Sequence, residues 1–442
     1  MPDQKNMKKK LSYLCLLFFA AFIFLEGCKG NTGNAADSDI EFSDEYIEGQ
    51  DFNPTAFFWA HTPQNTAVTD EGIYFALFNC LYFADTSSSD SSAWTARPLC
   101  FKPMCRHLRE TPDRVVNCNA FAAAEGVEPF VGVFGGHLYF TSFNTETTNY
   151  ELSMADLDGS NRKTVLKDVH TAVGGSMRLH RGVLYYGVSF VDLDGNPKSA
   201  LMGLPLTSGN PEPEILVESE HVSNSYSEVL PYGDYIYYNE KKIDEDESGQ
   251  KVTENQYFRY QILDKTVEKL EVPSEYRLFG VQDKLLVFYD GKDYYEYDPK
   301  TGKTALSSLG AERFQEAHRN WRCYASGITD KIAFMQCEDI TDQPDAEYGI
   351  IIFEKMVTDS KGSLICSFEE PAAVLPHMTS QIIHVQGKDY YLRFSACYRP
   401  FSAELYDIDE LLAGDMHPIT LLSGEDPDDI GFTEYQYQTK TE

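Results

Sequence analysis

The sequence lacks the short motifs that mark many catalytic and redox sites. It contains no Cys-x-x-Cys pair, no Gly-x-Ser-x-Gly nucleophile elbow, no His-Glu-x-x-His helix and no Walker loop. These absences exclude dithiol redox chemistry, nucleophile-elbow hydrolysis, zincin proteolysis and P-loop nucleotide hydrolysis in their usual local forms. Tryptophan is also scarce, with 3 residues. No residue is therefore assigned a catalytic role from sequence.

Positively charged residues are also scarce. The chain has 37 Lys and Arg against 69 Asp and Glu, a formal net charge of -32. A surface this acidic repels phosphate backbones, so nucleic acid is excluded as a partner. Acidic runs such as Asp244 to Glu247 are interpreted as solvated hairpin tips, because isolated charge runs in loops are usually surface features.

Long apolar runs are confined to the N-terminus. Lys8, Lys9 and Lys10 precede the run LSYLCLLFFAAFIFL, which ends at Leu25. A basic n-region followed by an apolar stretch too short for a comfortable span is typical of a signal peptide. The sequence therefore predicts an exported protein with a signal peptide over residues 1–27.

The end of this segment resembles a bacterial lipoprotein cleavage box. Leu25, Gly27 and Cys28 match the box, whereas Glu26 departs from its usual small or apolar residue. The resemblance implies lipidation of Cys28 and a cell membrane anchor facing the extracytoplasmic side. An ordinary secretory signal is the alternative. Residues 28–55 are polar, acidic and glycine-bearing, a composition that predicts a flexible tether.

One short pattern recurs through the rest of the chain. A turn rich in Gly, Asp or Lys leads directly into an aromatic and aliphatic run, as in GGHLYFTSF and RGVLYYGVSF. Strand-forming repeats with a period of about fifty residues predict a propeller or a similar array. The seven runs have their first core residues near Ile73, Leu138, Val183, Tyr235, Leu285, Ile332 and Tyr390.

The repeats also have a second half. YELSMADLDGSNRKTVL, YYEYDPKTGKTALSSL and AELYDIDELLAGDMHPITLL each indicate a strand, a tight polar turn and a further strand. Four strands per unit predict an all-β fold over residues 56–442, a single β-propeller of four-stranded blades. Seven blades fit best, and six or eight are the alternatives because a ring can close by borrowing a strand. GFTEYQYQTK from Gly431 and FFWAHTPQNTAV from Phe57 are the candidate closing segments.

An insertion over residues 95–122 lengthens the first repeat and contains three cysteines. Cys100, Cys105, His107 and Cys118 offer three thiolates and one imidazole, a set that structural zinc accepts. An exported chain also meets an oxidising environment, so a disulfide among these cysteines, with Cys80 as an additional partner, is the competing interpretation. Unpaired thiols are the third interpretation of these cysteines. Cys323 and Cys337, which could pair across a hairpin, are interpreted as small buried hydrophobes.

Two phrases carry a resemblance to known proteins. MADLDGSNRKTVL is similar to the outer hairpin of TolB-like propellers. The signal, the repeated GxxYY strands and a Cys-x-Lys-Pro-x-Cys-x-His phrase followed by Cys-Asn-Ala resemble TolB-like or WD-like propeller lipoproteins of Firmicutes. The matching residues are Cys100, Lys102, Pro103, Cys105, His107, Cys118, Asn119 and Ala120. The resemblance implies a fold and a location and no reaction.

Three functions from different classes follow. The first is a surface-tethered binding or interaction module whose loops hold a glycan, peptide or protein ligand, with no intrinsic chemistry evident. The second is a structural or assembly component of the cell envelope. The third is an enzyme acting on polysaccharide or peptide, with residues assembled from several blades and hence no local motif. The sequence favours the first.

Overall fold

The chain was analysed as a computed structural model. The structure describes residue 47, residues 49–53 and most of residues 64–424. The longer stretches outside the description are residues 1–46, 54–63, 106–117, 123–129, 168–176, 308–320, 340–351, 372–380 and 425–442. The signal peptide and Cys28 therefore lie outside the described residues. No helix in the described part of the chain has the length and apolar character needed to cross a membrane.

In the described part of the chain, twenty-eight strands form seven sheets of four antiparallel strands, and each sheet uses four consecutive strands. These sheets are numbered here as blades 1 to 7. Blade 1 comprises β1 (Thr66–Val68), β2 (Gly72–Leu77), β3 (Cys80–Asp85) and β4 (Ala96–Pro98). Blade 2 comprises β5 (Val131–Phe134), β6 (His137–Asn144), β7 (Asn149–Asp156) and β8 (Lys163–Leu166). Blade 3 comprises β9 (Arg178–His180), β10 (Val183–Val191), β11 (Pro197–Pro205) and β12 (Glu214–Ser219). Blades 4 and 5 comprise β13 (Val229–Tyr232), β14 (Tyr235–Glu245), β15 (Lys251–Gln261), β16 (Val267–Lys269); β17 (Arg277–Gln282), β18 (Leu285–Tyr289), β19 (Tyr294–Asp298) and β20 (Lys303–Leu306). Blades 6 and 7 comprise β21 (Trp321–Ile328), β22 (Ile332–Asp339), β23 (Ile352–Asp359), β24 (Leu364–Pro371); β25 (Gln381–Val385), β26 (Lys388–Ser395), β27 (Phe401–Asp407) and β28 (Ile419–Gly424).

The repeated sequence pattern corresponds to one position in every blade. All seven aromatic and aliphatic runs form the second strand, and each of the seven predicted first core residues lies in it. In blade 1 all six residues of β2 are buried, because this strand is covered by a neighbouring blade on both faces. The predicted all-β propeller of seven four-stranded blades is confirmed.

Blades pack on one another through their sheet faces. Buried apolar clusters join blades 1 and 2, 2 and 3, 3 and 4, 4 and 5, and 6 and 7. A further cluster joins blade 7 to blade 1 and includes Phe75, Trp94 and Tyr390, with the Trp94 and Tyr390 rings 5.8 Å apart. The first and last blades are thus neighbours, and the ring is closed by side-chain packing.

No described sheet borrows a strand from the other terminus. β1, which lies within the predicted closing segment from Phe57, belongs to blade 1 and pairs with β2. The other closing candidate, from Gly431, lies outside the described residues. Gln386 of blade 7 donates a hydrogen bond to the carbonyl of Thr86 in blade 1, adding a polar contact to the apolar closure.

The third predicted outer hairpin departs from a tight turn. A short helix, α1 (Ile408–Leu412), stands between β27 and β28. Asp407 caps it, since its carboxylate accepts hydrogen bonds from the N–H groups of Asp409 and Glu410. Ile408 and Leu411 are buried against blade 7, so a segment interpreted as hairpin turn contains one amphipathic helical turn.

The antiparallel order gives every blade two distinct ends. The connections between consecutive blades and the turns between second and third strands lie at one end, here named the connection end. The turns between first and second strands lie at the opposite end, here named the turn end. Arg181 and Gly182 form one such turn with φ of 48° and 72°. These angles are typical of a type I′ hairpin, where glycine is favoured.

The last residues of the predicted tether pack against the turn end. Phe52 is 3% exposed and joins the cluster between blades 4 and 5. Its N–H donates to Nδ1 of His180 at 3.1 Å, and Nε2 of His180 lies 2.8 Å from the carbonyl of Gly233. Burial lowers the pKa of His180 to about 4, so the imidazole is neutral. The packed part of the chain therefore begins before residue 56.

A buried ion network holds the same segment. Nε of Arg181 lies 2.6 Å from Oδ1 of Asp51, and its Nη1 lies 2.5 Å from Oδ1 of Asp234. The side chains of Asp51 and Arg181 are 0% and 2% exposed. Asp234 belongs to the turn of blade 4, so one guanidinium ties the N-terminal segment to blades 3 and 4.

Candidate metal centre

Three of the cysteines singled out in the sequence meet in the connection between blades 1 and 2. Cys100 follows β4 and is buried, while Cys105 and Cys118 are half-buried further along the loop. Their sulfur atoms all lie within 4.8 Å of one another. The loop from Leu99 to Ala122, here named the cysteine loop, therefore brings residues eighteen positions apart in sequence to one point.

Backbone hydrogen bonds fix both arms of the cysteine loop to strand β3. Leu99 donates to the carbonyl of Leu81 at 2.9 Å, and Leu81 donates to the carbonyl of Ala120 at 2.7 Å. Phe121 forms an isolated antiparallel bridge with Cys80. Both arms of the loop thus lie along the outer edge of β3, whose other edge pairs with β2, and this brings Cys100 and Cys118 close together.

Blade 2 closes over the other side of the loop. The turn at Gly159 approaches so closely that a side-chain Cβ there would lie 2.5 Å from the carbonyl oxygen of Leu99. Nη1 of Arg162, from the same turn, donates to the carbonyl of Phe121 at 2.6 Å. The cysteine loop therefore lies in the seam between two blades and contacts both.

The electrostatics of the cluster prevent its three thiols from ionising together. Burial and the charges of its two thiol neighbours raise the pKa of Cys118. Burial also acts on Cys100, but hydrogen bonds from the N–H groups of Lys102 and Asn119 outweigh it, so the pKa of Cys100 lies below its usual value. Three adjacent thiols cannot all ionise beside one another unaided, and a bound metal ion removes that obstacle.

The spacing suits a tetrahedral ion. A metal about 2.3 Å from each thiolate sulfur places the sulfurs about 3.8 Å apart, and sulfurs that all lie within 4.8 Å of one another are compatible with this geometry. Arg162 adds positive charge at its edge: burial lowers the pKa of the guanidinium, and the charges of Glu151 and Cys118 oppose that shift. The three cysteines can therefore hold a metal ion.

The other predicted site residues have different positions. His107, the expected fourth ligand, lies outside the described residues, as does Cys28. Cys80 is buried on β3 and is not a member of the three-sulfur group. Disulfide formation stays a prediction.

Two more cysteines are placed by strand register alone. Cys323 on β21 and Cys337 on β22 are direct cross-strand partners. The sequence allowed this pairing without indicating it, because hairpin register depends on the bulge that shifts the ladder between Ala325 and Gly327.

Sequence reasoning did not find Arg162. The residue stands in the hairpin MADLDGSNRKTVL, whose pattern indicates two strands and a turn. A single arginine in a polar turn carries no signal of its contact, since its partner Phe121 is 41 positions away. Only the packing of blade 2 on blade 1 brings the two together.

Buried cysteines of the propeller should resist alkylation while the loop cysteine reacts. Burial raises the pKa of Cys80 to about 12 and that of Cys366 to about 11, which keeps both thiols protonated and unreactive at pH 8. Iodoacetamide treatment of the native, chelator-treated protein, mapped by mass spectrometry, should modify the half-buried Cys105 first. Equal modification of Cys80 and Cys105 would contradict the burial described here.

No family model and no curated protein matches the chain. Among solved structures, the chain is similar to the β-propeller domain of the trilobed protease from Pyrococcus furiosus, with 13% identity, a TM-score of 0.43, and coverage of 84% of this chain and 100% of that one. TolB from Acinetobacter baumannii shares 13% identity over 72% of this chain and 63% of that one, with a TM-score of 0.32. An acylaminoacyl peptidase shares 12% identity over 84% of this chain with a TM-score of 0.41, and this chain spans 54% of its length.

Proposed function

We propose that this protein is a membrane-tethered binding module whose ligand, a glycan, peptide or protein, is held at the connection end of the propeller. Loops on a rigid scaffold commonly carry binding residues. In this chain the loops at that end are also the most elaborate, and one of them bears the cysteine cluster. The observation that carries the proposal is a long hairpin of blade 4.

The β14–β15 hairpin extends well beyond the rest of its blade. Strand β13 pairs with β14 only as far as Val229↔Tyr238. The two long strands stay paired from Asn239↔Tyr257 to Glu245↔Lys251, seven further pairs. The first three of these pairs are still packed in the blade, since Asn239, Tyr257 and Asn255 are buried. The part beyond them, from Lys242↔Glu254 to Glu245↔Lys251, is four pairs long and projects by about 14 Å at about 3.4 Å per residue. These four outer pairs lie beyond the buried base of the hairpin, so we assign them to contact with a partner.

The N-terminal segment supports the same orientation. Asp51 and Phe52 reach the propeller at the turn end, the opposite end from the arm and the cysteine loop. In a lipoprotein anchored through Cys28, the tether would therefore join the propeller at the turn end. The connection end carries no tether attachment, which leaves its loops available to ligands.

Within this module we assign the cysteine cluster to zinc in a structural role. Three thiolates and His107 make an accepted four-ligand set for zinc, and closed four-ligand sites are structural rather than catalytic. The ion would hold the cysteine loop in the seam between blades 1 and 2. The disulfide alternative would hold the same loop by a covalent bond.

A ligand panel tests the binding proposal. Thermal unfolding of the purified full chain in detergent should shift upward with one class of glycan or peptide, with no turnover of that ligand. Replacing residues 243–253 by Asn-Gly, which leaves Lys242↔Glu254 as the last pair, should abolish the shift while the unfolding midpoint without ligand stays unchanged. Lys265→Asn, in the turn at the opposite end of the same blade, should leave the shift intact.

Three outcomes would contradict the proposal. Turnover of the ligand would favour an enzyme, and a panel without any shift, together with fixed crosslinked envelope partners, would favour a structural component. A ligand shift that survives removal of the arm would show that binding occurs elsewhere on the propeller.

A further inference from the structure

Two cations meet at the seam between blades 4 and 5 in a chain that is otherwise strongly acidic. Lys241 lies on β14, where its direct cross-strand partner is Asn255 on β15. Arg277 is the first residue of β17 in blade 5. Glu228 immediately precedes β13. All four positions lie at the connection end, because β13 and β17 begin there and β14 leads out to the arm.

Glu228 is fixed beneath the two cations. It is 5% exposed, its Oε2 lies 2.8 Å from the hydroxyl of Tyr257, and Leu278 N–H donates to the same oxygen at 3.1 Å. Its other oxygen, Oε1, lies 4.0 Å from Nη1 of Arg277. That separation exceeds a hydrogen bond. Glu228 therefore orients the guanidinium electrostatically without occupying its donors.

Arg277 keeps its donors accessible. Its side chain is 46% exposed. A guanidinium offers five N–H donors in a planar fork that matches the two oxygens of a carboxylate. Arg277 is thus anchored on its inner side by a buried charge and open to solvent on its outer side.

Asn255 supplies an acceptor beside the cations. It is 4% exposed, and its Nδ2 donates to the carbonyl of Ser274 at 3.4 Å. Its Oδ1 is buried and has no hydrogen-bond partner within the described part of the chain. Buried polar atoms are almost always paired, so an orphan acceptor next to two cations points to a group that arrives with a donor.

Lys241 and Arg277 oppose one another electrostatically. Burial lowers the pKa of Lys241, and the charge of Arg277 lowers it further. Two neighbouring cations are costly unless an anion comes between them. The charge of Glu228 opposes this shift of the Lys241 pKa, but burial raises the pKa of Glu228 itself, so this one carboxyl group compensates the two cations only in part. A small monoanion therefore fits beside them. A polyanion is disfavoured, because the whole chain carries -32.

We propose that Lys241, Asn255 and Arg277 form a binding site for the carboxylate of a small ligand at the seam of blades 4 and 5. The carboxylate accepts hydrogen bonds from Arg277 and Lys241. An N–H or O–H group next to the carboxyl group donates to Oδ1 of Asn255. A peptide C-terminus presents an N–H on the carbon beside its carboxylate, and a uronic acid such as glucuronate presents an O–H one carbon further away. The site names the ligand chemistry of the proposed binding module and rests on that function.

Calorimetric titration of the full chain in detergent tests the site with matched probes. N-acetyl-alanine is compared with N-acetyl-alanine amide, and glucuronate with glucose. At least one carboxylate should bind, and its uncharged counterpart should bind at least about tenfold more weakly, the size expected for hydrogen bonds to charged groups. The pair that shows this difference identifies the peptide or the sugar source.

Variants connect the binding to these residues. Arg277→Gln and Lys241→Gln should each weaken carboxylate binding at least about tenfold. Lys265→Asn removes a cation from the opposite end of the same blade and should leave binding unchanged. An unfolding midpoint equal to that of the wild type shows that each variant is folded.

Two results would overturn the site: equal binding of the charged and uncharged probes, or undiminished carboxylate binding in Arg277→Gln. The results that would contradict the proposed function differ from those that would contradict this site. A panel ligand that still binds Arg277→Gln with full affinity preserves the binding module and removes this site. Absence of any ligand in both experiments removes both.

Discussion

Arg181→Asn should lower the free energy of unfolding by about 3 to 5 kcal/mol, the usual effect of removing one partner from a buried ion pair. The substitution leaves the carboxylates of Asp51 and Asp234 facing each other without the guanidinium that now lies 2.6 Å from the first and 2.5 Å from the second. Asp51 suffers most, because its side chain is 0% exposed.

Asparagine is the informative replacement at this position. Arg181 has φ of 48° and precedes Gly182, so the variant contains Asn-Gly, the dipeptide favoured by type I′ turns. The turn itself should therefore gain stability. Any decrease in the free energy of unfolding must therefore come from the ion network, because the variant introduces no backbone strain at the turn.

Urea unfolding measured by intrinsic fluorescence checks the effect, with Lys265→Asn as the matched control. Lys265 also has a left-handed φ, 54°, and also pairs with a carboxylate, but that pair with Glu214 is largely exposed. Exposed pairs contribute little, so the control midpoint should barely move. Equal midpoints for the two variants would show that the Arg181 network contributes no stability.

A local measurement separates loss of the N-terminal contact from general destabilisation. Chymotrypsin should cleave after Phe52 in the Arg181→Asn protein under native conditions and spare that bond in the wild type, where Phe52 is 3% exposed. Asp51→Asn should give an intermediate result, because Arg181 keeps its contact with Asp234. Cleavage after Phe52 in the wild type would contradict the packing of this segment.

Removal of zinc from the cysteine loop is the second change with a large expected effect. A metal that binds only the folded state stabilises it by about 4 kcal/mol when free metal exceeds its dissociation constant a thousandfold. The purified full chain should contain about one zinc ion, and a chelator should lower the unfolding midpoint and expose the loop to proteases. Elemental analysis and thermal unfolding measure these two results.

Cysteine variants assign the metal to the cluster. Cys105→Ser should lose the zinc, because it removes one of three sulfur ligands. Cys366→Ser is the control: it changes a buried cysteine of blade 6 that lies outside the cluster, and it should keep the zinc. His107→Ala should weaken zinc binding if the imidazole is the fourth ligand.

Mass spectrometry of the denatured protein distinguishes the disulfide interpretation. With a metal site, Cys100, Cys105 and Cys118 all become alkylated once the metal is chelated. A chain without zinc, in which two of these cysteines stay linked until a reductant is added, would contradict the metal centre and establish a disulfide in the same loop.

Much of the fold follows from sequence because each blade repeats the same local physics. A glycine-bearing or charged turn starts the second strand, which is covered on both faces by neighbouring blades and so consists almost entirely of apolar and aromatic residues, as in β2. That composition can be recognised from the amino-acid sequence alone. The helix α1 was missed for the opposite reason: its five residues are too few for a helical period to emerge.

The sequence by itself determined the repeat, favoured seven blades over six or eight, and marked Cys100, Cys105 and Cys118 as candidates for one site, because all of these depend on residues near one another in the chain. Only the tertiary structure decided what lies in the seams. Arg162 reaches Phe121, Arg181 reaches Asp51 and Arg277 approaches Glu228 across 41, 130 and 49 positions respectively. Each contact joins segments that meet only when blades pack into a ring, and a single buried charge leaves no periodic trace in sequence from which its partner could be found.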